Sequence, residues 1–331
     1  MVEKLLDVKN LSTYFYTEEG VVYALDDVSF SLEKGETLGI VGESGSGKSV
    51  TALSIMRLVQ SPPGRIVDGK ILLEGDNILL KSKEEMQDIR GNKMAMIFQE
   101  PMTALNPVLT IGYQIMESLL IHQNVNKNEA RVKAIDMLRK VGIPNPEKRI
   151  DDYPHQLSGG MRQRAMIAIA LCCNPSLLIC DEPTTALDVT IQAQILDLIN
   201  RLKEDMDTAV IMITHDLGVV AQISDNVLVM YAGKEMEYGS VREVFTDPKH
   251  PYTEALLASI PTVENKQDRL HVIDGMVPSL SNLPQGCLFH TRCGKCMEIC
   301  RVEKPRITYL NGNRQVRCWL YEERGGGNSA G

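Results

Sequence analysis

No apolar run in this 331-residue chain approaches the roughly 20 residues that span a bilayer. No cationic segment followed by a short apolar one opens it, so a secretory leader is not expected. There is no cationic excess either. The formal net charge of -8 argues against nucleic acid as a main partner. No internal repeat and no heptad array is present, which argues against a repeat architecture and a long coiled coil. What remains is a chain with 44% apolar and 24% charged residues, ordinary for a globular protein, and long enough for one large α/β domain plus an appendage. A chain of this size needs no disulfide staples.

Short apolar runs alternate with helical periodicity. Thr37–Val41, Met94–Phe98, Leu177–Cys180 and Ala209–Thr214 read as buried strands. Val50–Val59, Thr110–Gly142, Ser158–Cys173 and Ile191–Lys203 read as helices, and Leu5–Phe30 shows strand-like patches. Val227–Tyr231 and Glu235–Tyr238, split by Ala-Gly-Lys, predict a hairpin. The alternation implies a mostly parallel sheet with helices on both faces.

Chemistry concentrates at three places. Gly42-Glu-Ser-Gly-Ser-Gly-Lys-Ser49 matches G-x-x-x-x-G-K-[ST] between a strand and a helix. Gly42, Ser44, Gly45, Gly47 and Val50 offer backbone N–H groups to phosphates, Lys48 reaches the β- and γ-phosphates, and Ser49 can hold Mg²⁺. The strand Leu177–Cys180 then delivers two carboxylates: Asp181 for Mg²⁺ and Glu182 to orient the attacking water. Finally, Leu157-Ser-Gly-Gly-Met161 precedes a helix, with Ser158 a good N-cap and Gly159 and Gly160 leaving donors open to an anion. Alone, that last string reads only as a helix start.

Taken in this order, the motifs resemble the ATP-binding cassette (ABC) ATPases over about residues 3–245, with Met161 departing from the family's LSGGQ. The resemblance implies a P-loop NTPase of the ABC type, with a RecA-like core, an antiparallel β subdomain and a helical subdomain at about 100–165. It makes Gln99 the γ-phosphate-sensing and Mg²⁺-coordinating glutamine, Asp188 the end of the loop Ala186–Asp188, and His215 the switch histidine. It also implies an aromatic stacked on adenine, with Phe15 best placed by spacing and Tyr14 and Tyr16 as alternatives. Two cassettes would pack head to tail, the Ser158 loop of one closing on ATP held by the other. QEPMTALNP, LSGGMRQR, HPYTEALLASIP and GCLFHTRC further resemble the ATPase subunits of oligopeptide and dipeptide importers. That branch implies a second, similar ATPase as heterodimer partner, two permeases, an external binding protein, and a peripheral location on the cytoplasmic side of the membrane. Related systems take nickel or oligosaccharides, and a non-transport ABC ATPase is the remoter alternative.

Cys172, Cys173 and Cys180 sit in apolar runs and read as buried hydrophobes. Five more cysteines crowd near the end at C-x5-C-x2-C-x3-C-x17-C. In a compartment where disulfides are rare, this spacing suggests a metal or cluster site. Zinc sites usually show two short C-x₂₋₄-C pairs, whereas only Cys293/Cys296, with Cys296/Cys300 competing, supplies one here. Resemblance to the importer branch implies a [4Fe–4S] cluster on Cys287, Cys293, Cys300 and Cys318, leaving Cys296 extra, with Zn²⁺ as the alternative. The division expected is an ABC domain over 1–245, a Cys-rich, loop-rich extension over 246–323, and a disordered tail over 324–331.

Overall fold

The computed structural model describes residues 4–99, 104–184, 188–259 and 273–322. The expected tail 324–331 lies outside the described residues, as do Ala186 and Leu187 and parts of QEPMTALNP and HPYTEALLASIP.

Strands β1 (Lys4–Thr17) and β2 (Gly20–Glu33) are long antiparallel partners rather than separate patches. Then come β3 (Thr37–Val41), α1 (Lys48–Ile55), β4 (Gly64–Leu73), β5 (Asp76–Asn77), α2 (Lys83–Ile89) and β6 (Met94–Ile97). The helical region holds α3 (Ile111–His122), α4 (Lys127–Lys140), α5 (Pro146–Arg149) and α6 (Gly159–Leu171). The core resumes with β7 (Leu177–Asp181), α7 (Val189–Met206), β8 (Ala209–Ile213), α8 (Leu217–Ile223), β9 (Asn226–Tyr231) and β10 (Lys234–Ser240). It ends with α9 (Val241–Thr246), α10 (Pro251–Ala258), α11 (Glu298–Val302), β11 (Thr308–Tyr309) and β12 (Gln315–Val316).

Two sheets result. The four-stranded sheet runs β2-β1-β4-β5, and the eight-stranded one β11-β12-β10-β9-β3-β8-β7-β6. In the larger sheet β6, β7, β8, β3 and β9 are parallel. β3, β7 and β8 are buried at every residue, which is why they read as continuous apolar runs without alternation. Leu5, Leu11, Leu25 and Val28 of the smaller sheet share one core with Leu38, Ile40, Ala52 and Ile55. Fully burying each of these leucine, isoleucine and valine side chains contributes roughly 1.5–3 kcal/mol, and the Ala52 methyl less.

The single helical stretch expected over 110–142 is two helices. Asn126 interrupts it: its side chain accepts from the Asn128 and Glu129 N–H groups, and Glu129 closes a capping box. Ile111, Ile115 and Leu119 then face Ala130, Ala134 and Leu138 in a core shared with Ile167 of α6, each triplet at the four-residue spacing that keeps one helix face.

The C-terminal extension does not stand apart. β12 pairs antiparallel with β10, and two buried ion pairs bolt the joint. Arg314 meets Glu237 at 2.8 Å and Arg317 meets Glu235 at 2.9 Å. Burial pushes Glu235 up to about 7, with Arg317 opposing.

Candidate nucleotide site

Gly42–Ser49 turns sharply out of β3 into α1. Gly42 has φ 152° and a Cβ there would meet the Met230 carbonyl at 2.1 Å; Gly47 has φ 102° and would meet the Ala24 carbonyl at 2.7 Å. Only glycine fits either position. Gly233 N–H, in the β9–β10 turn, donates to the Ser46 carbonyl at 2.9 Å and holds the loop from behind. The buried Lys48 donates to the carbonyls of Gly42 at 2.8 Å and Glu43 at 3.0 Å. Burial lowers its pKa, while Glu182, Asp181 and Glu43 pull it back up.

The acidic strand end lies directly across. Ser49 Oγ donates to Asp181 at 3.0 Å, so the two oxygens suited to Mg²⁺ already converge. Burial raises the Asp181 pKa above the usual carboxylate value, and the Ser49 hydrogen bond opposes it. Glu182, at φ 47°, accepts from Gln99 Nε2 at 3.1 Å and lies 3.3 Å from His215 Nδ1. One cavity of about 420 Å³ is lined by Ser44, Gly45, Gly47, Lys48, Ser49 and Val50 together with Gln99, Glu182 and His215. The fold thus gathers residues from four separate chain segments.

Other expected residues lie elsewhere. Ser158, Gly159, Gly160 and Asp188 do not line this cavity. Ser158 caps α6 through the Met161 N–H at 3.3 Å, and Asp188 caps α7 through the Ile191 N–H at 3.0 Å. A Cβ on Gly159 would meet nothing within 4 Å, so that backbone is open to the outside. None of Tyr14, Phe15 and Tyr16 lines the cavity. Phe15 packs toward Gly64, Tyr14 stands edge-on to Tyr23, and Tyr16 is exposed.

The sequence reading missed two kinds of neighbour. Ala24 and Ser46 complete the wall, as does Leu280 of the extension. Leu280 is placed there by the Tyr23 N–H, which donates to its carbonyl at 3.0 Å. Arg292 reaches the loop itself, with ion-pair contact to Glu43 at 2.6 Å. Leu280 and Arg292 lie outside every motif that points at a nucleotide, whereas Ser46 lies within Gly42–Ser49.

Farther along the extension, Cys287, Cys293, Cys300 and Cys318 line one cavity of about 10 Å³, room for about one water-sized sphere. Cys296 is not among its lining residues. Burial pushes the Cys287 thiol up to about 12 and Cys318 up to about 11, with neighbouring thiols adding to both. Among the described residues, however, no three His, Cys, Asp or Glu side chains are disposed as a metal-holding group. The expected thiols are gathered, but as arranged they are not a ligand set. Cys172, Cys173 and Cys180 are buried as expected.

Comparison with known proteins agrees with the geometry. The ABC transporter family matches residues 25–185, and the oligopeptide/dipeptide transporter C-terminal region matches 236–300. The chain is 54% identical to the oligopeptide transport ATP-binding protein AppD of Bacillus subtilis, covering 97% of this chain and 98% of that one. It is 51% identical to the dipeptide transport ATP-binding protein DppD of the same organism, covering 98% and 96%. A dimeric ATP-binding cassette in a post-hydrolysis state with ADP and Pi superposes with a TM-score of 0.64 at 28% identity, over 72% of this chain and 99% of that one. The chain belongs to the ATP-binding proteins of ABC transporters, in the oligopeptide/dipeptide group.

Proposed function

We propose that this ABC-type ATPase powers import of di- or oligopeptides from the cytoplasmic face of a membrane, docked peripherally on two permeases that an external binding protein supplies. The observation that carries the chemistry is Glu182, held between Gln99 and His215 across the cavity from Lys48. Lys48 and the loop N–H groups bind the phosphates. Glu182 orients and deprotonates water, Gln99 and His215 hold that carboxylate and face the γ-phosphate, and Ser49, Asp181 and Gln99 would hold Mg²⁺, which neutralises charge on the phosphates. The adenine-stacking aromatic is taken to be Phe15 by its spacing, with Tyr14 and Tyr16 as the alternatives, although none of the three lines the cavity.

Ser158, Gly159, Gly160 and Asp188 act in trans, on ATP held by a second cassette, most simply a similar partner in a heterodimer. The open backbone at Gly159 supports this. ATP binds the closed pair better than the open one, and hydrolysis releases it. The division proposed is an ABC domain to 245 and an extension from 246. In the complete complex, adding peptide with the binding protein is expected to stimulate ATP hydrolysis. No response to either dipeptides or longer peptides would remove the peptide assignment.

The docking surface is assigned to the Gln99 loop and 110–142, where Tyr113, Ile121 and Val132 are exposed apolar side chains. Cross-links from permease loops should land there. Consistent landing on the extension instead would overturn the assignment.

For the thiols we propose a structural soft-metal site on Cys287, Cys293, Cys300 and Cys318, a [4Fe–4S] cluster with Zn²⁺ as the alternative. The donor chemistry suits either, but the small cavity must widen to take a cluster. Anaerobically purified protein is expected to be brown with about four irons per chain, and to lose metal on Cys300→Ser but not on Cys296→Ser. Colourless protein with one zinc keeps the site and removes the cluster; metal-free protein removes both.

A further inference from the structure

The phosphate loop is braced from outside the cassette. Arg292 grips Glu43 with both ends of its fork, Nη1 at 2.6 Å from one carboxylate oxygen and Nη2 at 3.0 Å from the other. Its remaining donors are placed as firmly: Nη1 also reaches Tyr231 Oη at 3.3 Å, Nη2 the Ile273 carbonyl at 3.1 Å, and Nε the Asp274 carbonyl at 3.0 Å. A guanidinium has five N–H donors, and here each has a partner. The side chain is 3% exposed, and its cation lies over the rings of Tyr231 and Phe289.

Glu43 is fixed at its backbone as well. Its N–H donates to Tyr252 Oη at 2.9 Å, and its carbonyl accepts from the Lys48 ammonium at 3.0 Å and the Ser46 N–H at 3.2 Å. Arg292 and Lys48 therefore hold the same residue, one by its side chain and the other by its carbonyl. The extension also supplies Leu280 to the cavity wall. A clamp of merely local use would have no need to end on the residue that seats Lys48.

The geometry points to Arg292 as a positioning residue of the nucleotide site: the extension completes the site in cis by fixing Glu43, and through it the loop that binds the phosphates. A bidentate charge-assisted pair is among the stronger and most geometrically specific contacts available. It is part of the loop's ground state, so its loss should weaken nucleotide binding rather than the chemical step.

The inference rests on the assignment of Gly42–Ser49 as the phosphate loop, and Lys48→Ala tests that assignment separately. Mg-ADP binding to the full chain is measured by titration calorimetry for wild type, Arg292→Lys, Glu43→Gln, the double variant and Lys48→Ala. Arg292→Lys keeps the charge and loses the fork; Glu43→Gln keeps the shape. Each single variant is expected to weaken ADP binding about tenfold, and the double variant no further than the weaker single, because the two residues share one interaction. The KM for ATP should rise similarly with kcat held. Unchanged ADP affinity in the single variants, with only a lowered unfolding midpoint, would make Arg292 a packing residue and overturn the inference. Additive losses would overturn the link between the two. If Lys48→Ala binds ADP as wild type does, the phosphate-loop assignment itself fails.

Discussion

Replacing Glu182 by Gln is expected to bring steady-state ATP hydrolysis down by about 10²–10⁴-fold, the range general-base catalysis contributes, while ATP binding survives and an ATP-bound dimer accumulates. The amide cannot take a proton from water, yet it keeps the shape and can still contact Gln99 and His215, which flank the carboxylate at 3.1 Å and 3.3 Å. Lys48 and the loop glycines are untouched, so the ground-state affinity should hold. The head-to-tail closure would then persist because nothing releases it. Phosphate release, with light scattering on the ATP-loaded protein, reads both effects. Turnover near the wild-type rate would show that another group activates the water.

The second large effect is on stability. Arg314→Met is expected to destabilise the chain by about 3–5 kcal/mol, as breaking a buried ion pair from one side does. Glu237 has no exposed side-chain surface. It also accepts from two backbone N–H groups ahead of α10, those of Lys249 at 2.9 Å and His250 at 2.8 Å. It cannot swing out to water without orphaning both. The methionine fills most of the arginine's volume but leaves a buried carboxylate without its counter-charge. Adding Glu237→Gln should recover only part of the loss: the buried charge is gone, but the amide oxygen can accept from only one of the two backbone N–H groups, which now bond to different carboxylate oxygens, and the amide nitrogen is turned toward the other. Urea unfolding checks both variants. A midpoint unmoved by Arg314→Met would show that the pair carries no net stability.

Much of the core was legible, as were the phosphate loop and acidic strand end of the candidate site, because these leave local traces. Strands buried on both faces appear as unbroken apolar runs, and β3, β7 and β8 were placed within a residue or so. The loop and the acidic strand end could be named because each sits at the end of such a run, whereas Gln99 and His215 were named only through the resemblance to ABC ATPases. β4 was missed: Gly64–Leu73 mixes Gly, Asp and Lys with its apolar residues and is a strand because β1 pairs with it. Strands β11 and β12, two residues each, have no pattern at all and exist through β10. The break between α3 and α4 did have a signal, Asn126 three residues before Glu129. The Arg292–Glu43 contact joins residues 249 positions apart, and an ion pair that long-range leaves no periodicity to read.

The join between β10 and β12 bears on how this protein could be shortened. A chain cut after residue 245, where the cassette is expected to end, would keep β9 beside β10 but strip the two-residue strand β12 from its other side, freeing backbone N–H and C=O groups around Glu237 and Tyr238 at a sheet edge. It would also remove Arg314 and Arg317, the partners of Glu237 and Glu235. Such a fragment would keep every motif assigned to ATP and is still expected to be a poor soluble unit, prone to pair edge to edge with its own copies. For this chain the smallest workable ATPase is longer than the smallest set of ATP-binding motifs.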